Sequence, residues 1–146
     1  MGIQNALTYL LQGIEARPPK ALKDGLVNDL ADTPEELMEK AKQWILANPT
    51  PEQPWDAKRK RIPGGGLQSA SGMQTFMGAI GNINKMTHGN YPGMNYILSI
   101  THDGLNLPID RALEIEARHF VKVAGTKEAK NMIRTGFMGM QAAKKG

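Results

Sequence analysis

The chain has 146 residues, 18 Lys and Arg against 14 Asp and Glu, a net charge of +4 and no cysteine. That is the length of one domain, and it excludes both a disulfide scaffold and a thiolate-ligated zinc site. No apolar run approaches the ~20 residues of a membrane span, and the start MGIQNALTYLLQG lacks the basic opening and small-residue cleavage site of a secretory signal. The expectation is a soluble, cytoplasmic chain.

Ile3, Ala6, Leu7, Leu10 and Leu11 recur at helical spacing from the very start of the chain. So abrupt a beginning, without a cap sequence, suggests a piece of a longer protein. Pro18 and Pro19 open a short helix through Lys23, which Asp24-Gly25 ends, and Leu26, Val27 and Leu30 suit a brief extended segment. Thr33-Pro34-Glu35-Glu36 is a helix start: a hydroxyl for the cap, proline at the first helical position, glutamate at the third. The helix after it should bury Leu37, Ala41, Trp44 and Ile45, and Asn48-Pro49 should stop it.

From Thr50 to Gly66 the texture changes to three prolines, three consecutive glycines and the run KRKR, with only Trp55 and Ile62 as anchors. This reads as an extended connector. Helical spacing returns from Leu67 to Thr87 through Met73, Phe76, Met77, Ile80 and Ile83, where Gly72, Gly78 and Gly81 allow close helix approach. HGNYPG is a loop, and a short helix covers Met94 to Asp103. Two amphipathic helices close the chain. Ile109, Leu113, Ala117, Phe120, Val121 and Ala124 share one face of the first, and Ala129, Met132, Ile133, Phe137 and Met140 share one face of the second. Gly125 between them suits a left-handed C-cap, and Thr126 can cap the final helix.

Candidate chemistry is sparse. His88, His102 and His119 are too far apart for a local metal motif. Glu114 and Glu116 point about 200° apart on a helix, so they cannot flank one substrate. Gly64-Gly65-Gly66 with Ser69 and Ser71 lacks the lysine of a phosphate loop and the strand before a dinucleotide loop. Lys58-Arg59-Lys60-Arg61 is one basic cluster in a linker, with Trp55 beside it, and a solvated connector explains it better than a nucleic-acid site does. The methionine-rich stretch from Met73 to Met86 reads most simply as core or interface, with a lipid-like ligand wall as the sharper alternative. No nucleophile–base pair, carboxylate pair or metal cluster emerges: the expected catalytic set is none and the expected metal set is none.

The segment LTYLLQGIEARPPKALKDGLVNDLADTPEELMEKAKQWI resembles the closing third of the crotonase (enoyl-CoA hydratase/isomerase) fold. There a helix leads into a TG-like turn, an A-x-x-A-x-x-x-GLV helix and strand, then a capped helix. Gly13, Ala21, Gly25, Leu26 and Val27 stand at matching positions. Leu22 matches only as an apolar position, and Gln12 replaces a small polar residue. The later segment GNYPGMNYILSITHDGLNLPIDRALEIEARHFVKVAGTKEAKNMIRTGFM is similar to the linker of the multifunctional fatty-acid oxidation α-subunit family. It shows a YPAP-like turn (Tyr91, Pro92, Gly93), an AL-x-x-E-x-x-x-F helix (Ala112, Leu113, Glu116, Phe120) and EA-x-x-x-I-x-x-F (Glu128, Ala129, Ile133, Phe137).

The resemblance implies a mainly α fold with at most one or two short strands. Residues 1–49 would close a crotonase-like hydratase domain, 50–66 would be the Pro/Gly/basic connector, and 67–146 would be linker helices before an NAD-dependent 3-hydroxyacyl-CoA dehydrogenase domain. The family's catalytic carboxylates and oxyanion donors lie upstream of this sequence and its nucleotide loop downstream. No catalytic or cofactor-binding residue is therefore carried over. Acyl-CoA and NAD are implied for the parent enzyme and no cofactor for this chain. The expected partners are the remainder of the hydratase domain, the dehydrogenase domain and further copies in an oligomer. The expected function is a fragment of a fatty-acid β-oxidation enzyme, inactive alone, supplying scaffold, acyl-CoA-pocket or subunit-contact helices. The alternatives are a free-standing helical interaction module and a weak basic nucleic-acid binder.

Overall fold

The first helix, α1 (Ile3–Gln12), buries Ile3 and Leu7 and ends at Gly13, whose φ of 60° places it in the left-handed region and lets its N–H reach the Tyr9 carbonyl. The computed structural model describes residues 1–58 and 61–145. They fall into two units, 1–65 and 66–146. The described residues are helical or irregular, with no strand among them.

In the first unit, α2 (Pro18–Asp24) begins on two prolines, whose fixed φ suits the first helical turn. It closes on Gly25 at φ 77°, whose N–H reaches the Ala21 and Leu22 carbonyls. Helix α3 (Pro34–Ala47) starts as its sequence predicts, with the Thr33 hydroxyl accepting the Glu36 N–H at 3.1 Å. Glu36 then reaches one residue further back than a standard capping box, accepting the N–H of Asp32 at 2.8 Å. Asn48 ends α3, its side-chain amide on the Trp44 carbonyl at 2.8 Å. The connector adopts turns and irregular backbone, and Pro63 returns to the start of α1: a Cβ at Gly2 would lie 2.5 Å from the Pro63 carbonyl oxygen.

The extended segment at Leu26–Leu30 does not join a sheet, and side chains from α3 hold its backbone instead. Lys40 donates to the Leu30 carbonyl at 2.6 Å and pairs with Glu36 at 3.0 Å and Asp29 at 3.5 Å. With Glu36 on the Asp32 N–H and the Asp29 carboxylate on the Leu30 N–H, side chains take the place of a neighbouring strand at these groups. A second expectation also fails. Leu37, Trp44 and Ile45 are more than half exposed, and no residue of α3 is buried. The periodicity of α3 is real, but nothing in its own unit covers the stripe.

In the second unit, α5 (Pro92–Gly104) packs against both α4 (Ala70–Thr87) and α6 (Ile109–Ala124). Phe76, Ile83 and Leu98 form the buried apolar centre. The Phe76 ring meets the edge of His102 with centroids 5.4 Å apart, and Tyr96 meets His119 at 5.6 Å. Close approach falls at Gly72 and Gly104, whereas Gly78 and Gly81, the other glycines expected to permit it, have open space around them. Helix α4 ends on the buried Thr87, whose hydroxyl donates to the Ile83 carbonyl at 2.8 Å and accepts the Gly89 N–H at 3.2 Å. His88 and Gly89 both take positive φ to make the turn. Helix α5 begins at Pro92, two residues before the sequence reading placed it, because proline at the first position needs no N–H partner.

Gly125 is right-handed, φ −76° and ψ −13°, where a left-handed cap was expected. Thr126 removes the need for one: its backbone N–H and its hydroxyl both reach the Val123 carbonyl, at 3.0 and 2.7 Å. The same hydroxyl accepts the Ala129 N–H at 3.2 Å, capping α7 (Lys127–Met132). The chain continues as a π-helical segment, Ile133–Gly139, and then α8 (Met140–Lys145).

Candidate interaction surfaces

Each candidate for chemistry has a local structural role. His88 occupies a helix-ending turn at φ 48°. His102 pairs with its neighbour Asp103 at 3.0 Å, and His119 Nδ1 lies 2.9 Å from the Ile115 carbonyl. Glu114 is held by Arg111 at 2.9 Å and Arg118 at 3.8 Å, while Glu116 is exposed on another side of α6. Among the described residues no group of three or more His, Asp or Glu side chains is placed to hold a metal ion.

The glycine run forms a tight lead-in to α4. Gly64 and Gly65 take φ of 78° and 105°. Ser69 donates to the Gly66 carbonyl at 2.7 Å and accepts the Gly72 N–H at 3.0 Å, so its hydroxyl is committed to the cap. In the basic cluster Lys58 and Arg61 are exposed, and Arg59 and Lys60 lie outside the described residues. No described helix is long and apolar enough to cross a membrane.

One polar cluster escaped sequence reasoning. The Tyr9 hydroxyl donates to the Asp24 carboxylate, and Lys20 pairs with the same carboxylate oxygen at 2.5 Å while lying 5.8 Å from the Tyr9 ring centroid. The Asp24 side chain is only 11% exposed. Lys20 first, and Tyr9 second, hold its carboxyl below the usual range, and the hydrogen bond to Asp24 raises the Tyr9 phenol and the Lys20 ammonium. The available signal was an aspartate as the last residue of a helix, where its charge opposes the helix dipole. A pairing across 15 positions leaves no local trace.

The dominant surface feature is uncovered apolar area. The chain exposes 11568 Å². On α3 the open stripe is Leu37, Met38, Trp44 and Ile45. On α4 it is Met73, Met77 and Ile80, where the methionine-rich helix turns one face inward through Phe76 and Ile83 and leaves this flank open. On α6 it is Leu113, Phe120 and Val121, with Phe120 69% exposed.

Helix α6 corrects the sequence reading in a specific way. Of the expected face, Ile109 is half-buried but Leu113, Ala117, Phe120, Val121 and Ala124 are exposed, whereas Ala112, Ile115, His119 and Val123 are half-buried. Ala112 lies against Gly104 of α5, and His119 against Tyr96. The helix thus carries two apolar arcs, and its own unit uses the weaker one. From Lys130 to Lys145 every described residue is exposed, Met132, Ile133, Phe137, Met138 and Met140 included.

No protein-family model matches the chain. Curated relatives do, each described as fatty acid oxidation complex subunit alpha. The protein of Shewanella baltica is 32% identical over 147 residues, covering 99% of this chain and 20% of the relative. That of Shewanella frigidimarina is 35% identical over 137 residues, covering 88% of this chain and 18% of the relative. That of Shewanella putrefaciens is 32% identical over 147 residues. The chain spans about a fifth of the length of the relatives it matches. A mainly helical chain whose apolar faces outnumber its buried centres is therefore homologous, along nearly its whole length, to one segment of the fatty acid oxidation complex α-subunit.

Proposed function

We propose that this chain is a structural section of a fatty-acid β-oxidation α-subunit, supplying scaffold helices whose open faces are covered by the hydratase and dehydrogenase portions it does not contain. The observation that carries this reading is the open apolar rows of α3, α4 and α6, in which Leu37, Trp44, Met77, Phe120 and Val121 are each more than half exposed. The match to about a fifth of each relative supports it. Burying an exposed Trp, Phe or Leu removes about 25 cal/mol for each Å² of apolar area taken from water, so each covered stripe contributes several kcal/mol to such an assembly.

In the parent enzyme the hydration of 2-enoyl-CoA and the NAD-dependent oxidation of 3-hydroxyacyl-CoA would be performed by residues outside this chain. Here α4 or the closing helices would contribute a wall of the acyl-CoA pocket or a subunit contact, in the compartment where the parent enzyme works, the cytoplasm. The test pairs activity with association. The chain alone should turn over neither crotonyl-CoA nor a 3-hydroxyacyl-CoA with NAD. When supplied in trans it should bind an α-subunit from which the matched segment has been deleted. Turnover by the purified chain, or failure to bind that deleted subunit, overturns the reading.

A further inference from the structure

Between α7 and α8 the closing helix changes its hydrogen-bond spacing. Over Ile133–Gly139 the backbone bonds span five residues, a π-helix, with α turns before and after it. The residues flanking this segment keep α dihedrals, φ −62° and ψ −44° at Met132, φ −66° and ψ −36° at Met140. At the exit the Met140 N–H reaches the Phe137 carbonyl, a bond tighter than an α turn directly after the wide ones. A π stretch is uncommon, and it persists where packing or a side-chain bond fixes it. Neither fixes this one. Every residue from Ile133 to Gly139 is exposed, and among the described residues Arg134 and Thr135 make no side-chain hydrogen bond or ion pair. Composition works in the same direction. Gly136, Gly139 and the β-branched Thr135 are poor α formers, which narrows the usual advantage of the α form over the π form.

We infer that Ile133–Gly139 is a register switch, a segment that exchanges between π and α bonding and so turns α8 about its own axis relative to α7. In the exchange each N–H of the segment moves to the carbonyl one residue nearer. The flanking residues already hold α dihedrals, so the backbone crosses no forbidden region on the way. Closing the wide turn leaves one residue's rotation, about 100°, for α8 to take up. Met140, Lys144 and Lys145 then face another side. Gly136 is where the balance can be altered without touching anything else, because a Cβ built there meets nothing within 4 Å. The switch is a property of the chain by itself, needs no partner, and stands or falls separately from the proposed function.

Pairs of introduced histidines that chelate nickel read the two registers separately in the full 146-residue chain, which has no cysteine to compete for the metal. Residues three apart are neighbours on an α turn, and residues five apart only on the wider π turn. Thr135→His with Met138→His therefore reports the α form, and Ile133→His with Met138→His reports the π form. Each pair should hold nickel at least about tenfold more tightly than Met138→His alone. Adding Gly136→Ala should tighten the first pair and loosen the second, changing the ratio of the two affinities by about fivefold. All three histidine positions are exposed, so an unchanged urea midpoint without nickel controls for folding. Chelation by the five-apart pair alone means a fixed π-helix, and by the three-apart pair alone a plain α-helix. Chelation by neither means an unwound segment, and affinities indifferent to Gly136→Ala mean that the two registers do not compete. Each of these four results overturns the switch.

Discussion

Gly104 and Ala112 meet where α5 and α6 cross, so closely that a Cβ at Gly104 would lie 3.2 Å from the Ala112 Cβ. The absence of a side chain at Gly104 lets Tyr96 of α5 and His119 of α6 come within ring contact. Gly104→Leu is expected to force the helices apart and cost about 1–3 kcal/mol, the usual range for overpacking. Gly104→Ala should be near neutral, because the gain of up to ~1 kcal/mol in helix propensity offsets a slight adjustment of Ala112. Urea unfolding followed by circular dichroism separates the two. Equal stability of the Leu and Ala variants would show that the crossing is loose.

A harder limit applies at Gly72. There a Cβ would run into the Gly66 carbonyl oxygen, and backbone cannot swing aside as a flexible side chain does. Gly72→Ala should therefore destabilise the second unit by about 2 kcal/mol or more despite better helix propensity. It should also loosen the Ser69 cap, which depends on the same Gly72 N–H. Faster amide exchange, largest across Ser69–Met73, is the expected signature.

The cluster of Tyr9, Lys20 and Asp24 predicts a stability plateau bounded on both sides. The folded Asp24 carboxyl lies below its unfolded range, so its contribution is full above about pH 4 and is lost as pH falls through the folded value. The folded Tyr9 phenol and Lys20 ammonium lie above their unfolded ranges, so theirs is full below about pH 10 and is lost as pH rises through the folded values. Asp29 and Glu36 are also held low, by the N–H groups of Leu30 and Asp32 first and by Lys40 second, and they steepen the acid limb. The difference between wild type and Asp24→Asn isolates the Asp24 part. The urea midpoints should converge at low pH and separate through neutrality. Parallel curves across the acid limb would mean that the carboxylate is not paired in solution.

The sequence showed which stretches are helical because caps and turns are chemistry between near neighbours. Thr33, Pro34 and Glu36 start α3 as expected, and Thr126 caps α7. It did not show what each apolar row faces. Leu37, Trp44 and Ile45 satisfy every test of a buried face and are exposed, since periodicity records that a face needs cover without recording what covers it. On α6 the stronger arc reads as the packed one, and small residues decide otherwise: Ala112 approaches Gly104, while Phe120 is left exposed. Leu26–Leu30 follows the helix end at Asp24-Gly25, where a brief extended segment is expected and a partner strand is not legible. Lys40, ten positions beyond Leu30, supplied a side-chain partner that no short window contains.

Two substitutions of similar chemistry should behave in opposite ways in the isolated chain. Ile83 is 2% exposed at the centre of the second unit, so Ile83→Ala removes buried methyl groups and leaves a cavity, at an expected cost of about 2–5 kcal/mol. Phe120 is a larger apolar residue but 69% exposed, and Phe120→Ser should change stability by no more than about 0.5 kcal/mol. Against the deleted α-subunit the order should reverse for binding, with Phe120→Ser the more damaging change once stability is matched. A large loss of stability for Phe120→Ser in the isolated chain would mean that α6 is already covered in solution. The face it presents would then be used up within the chain rather than open to the rest of an α-subunit.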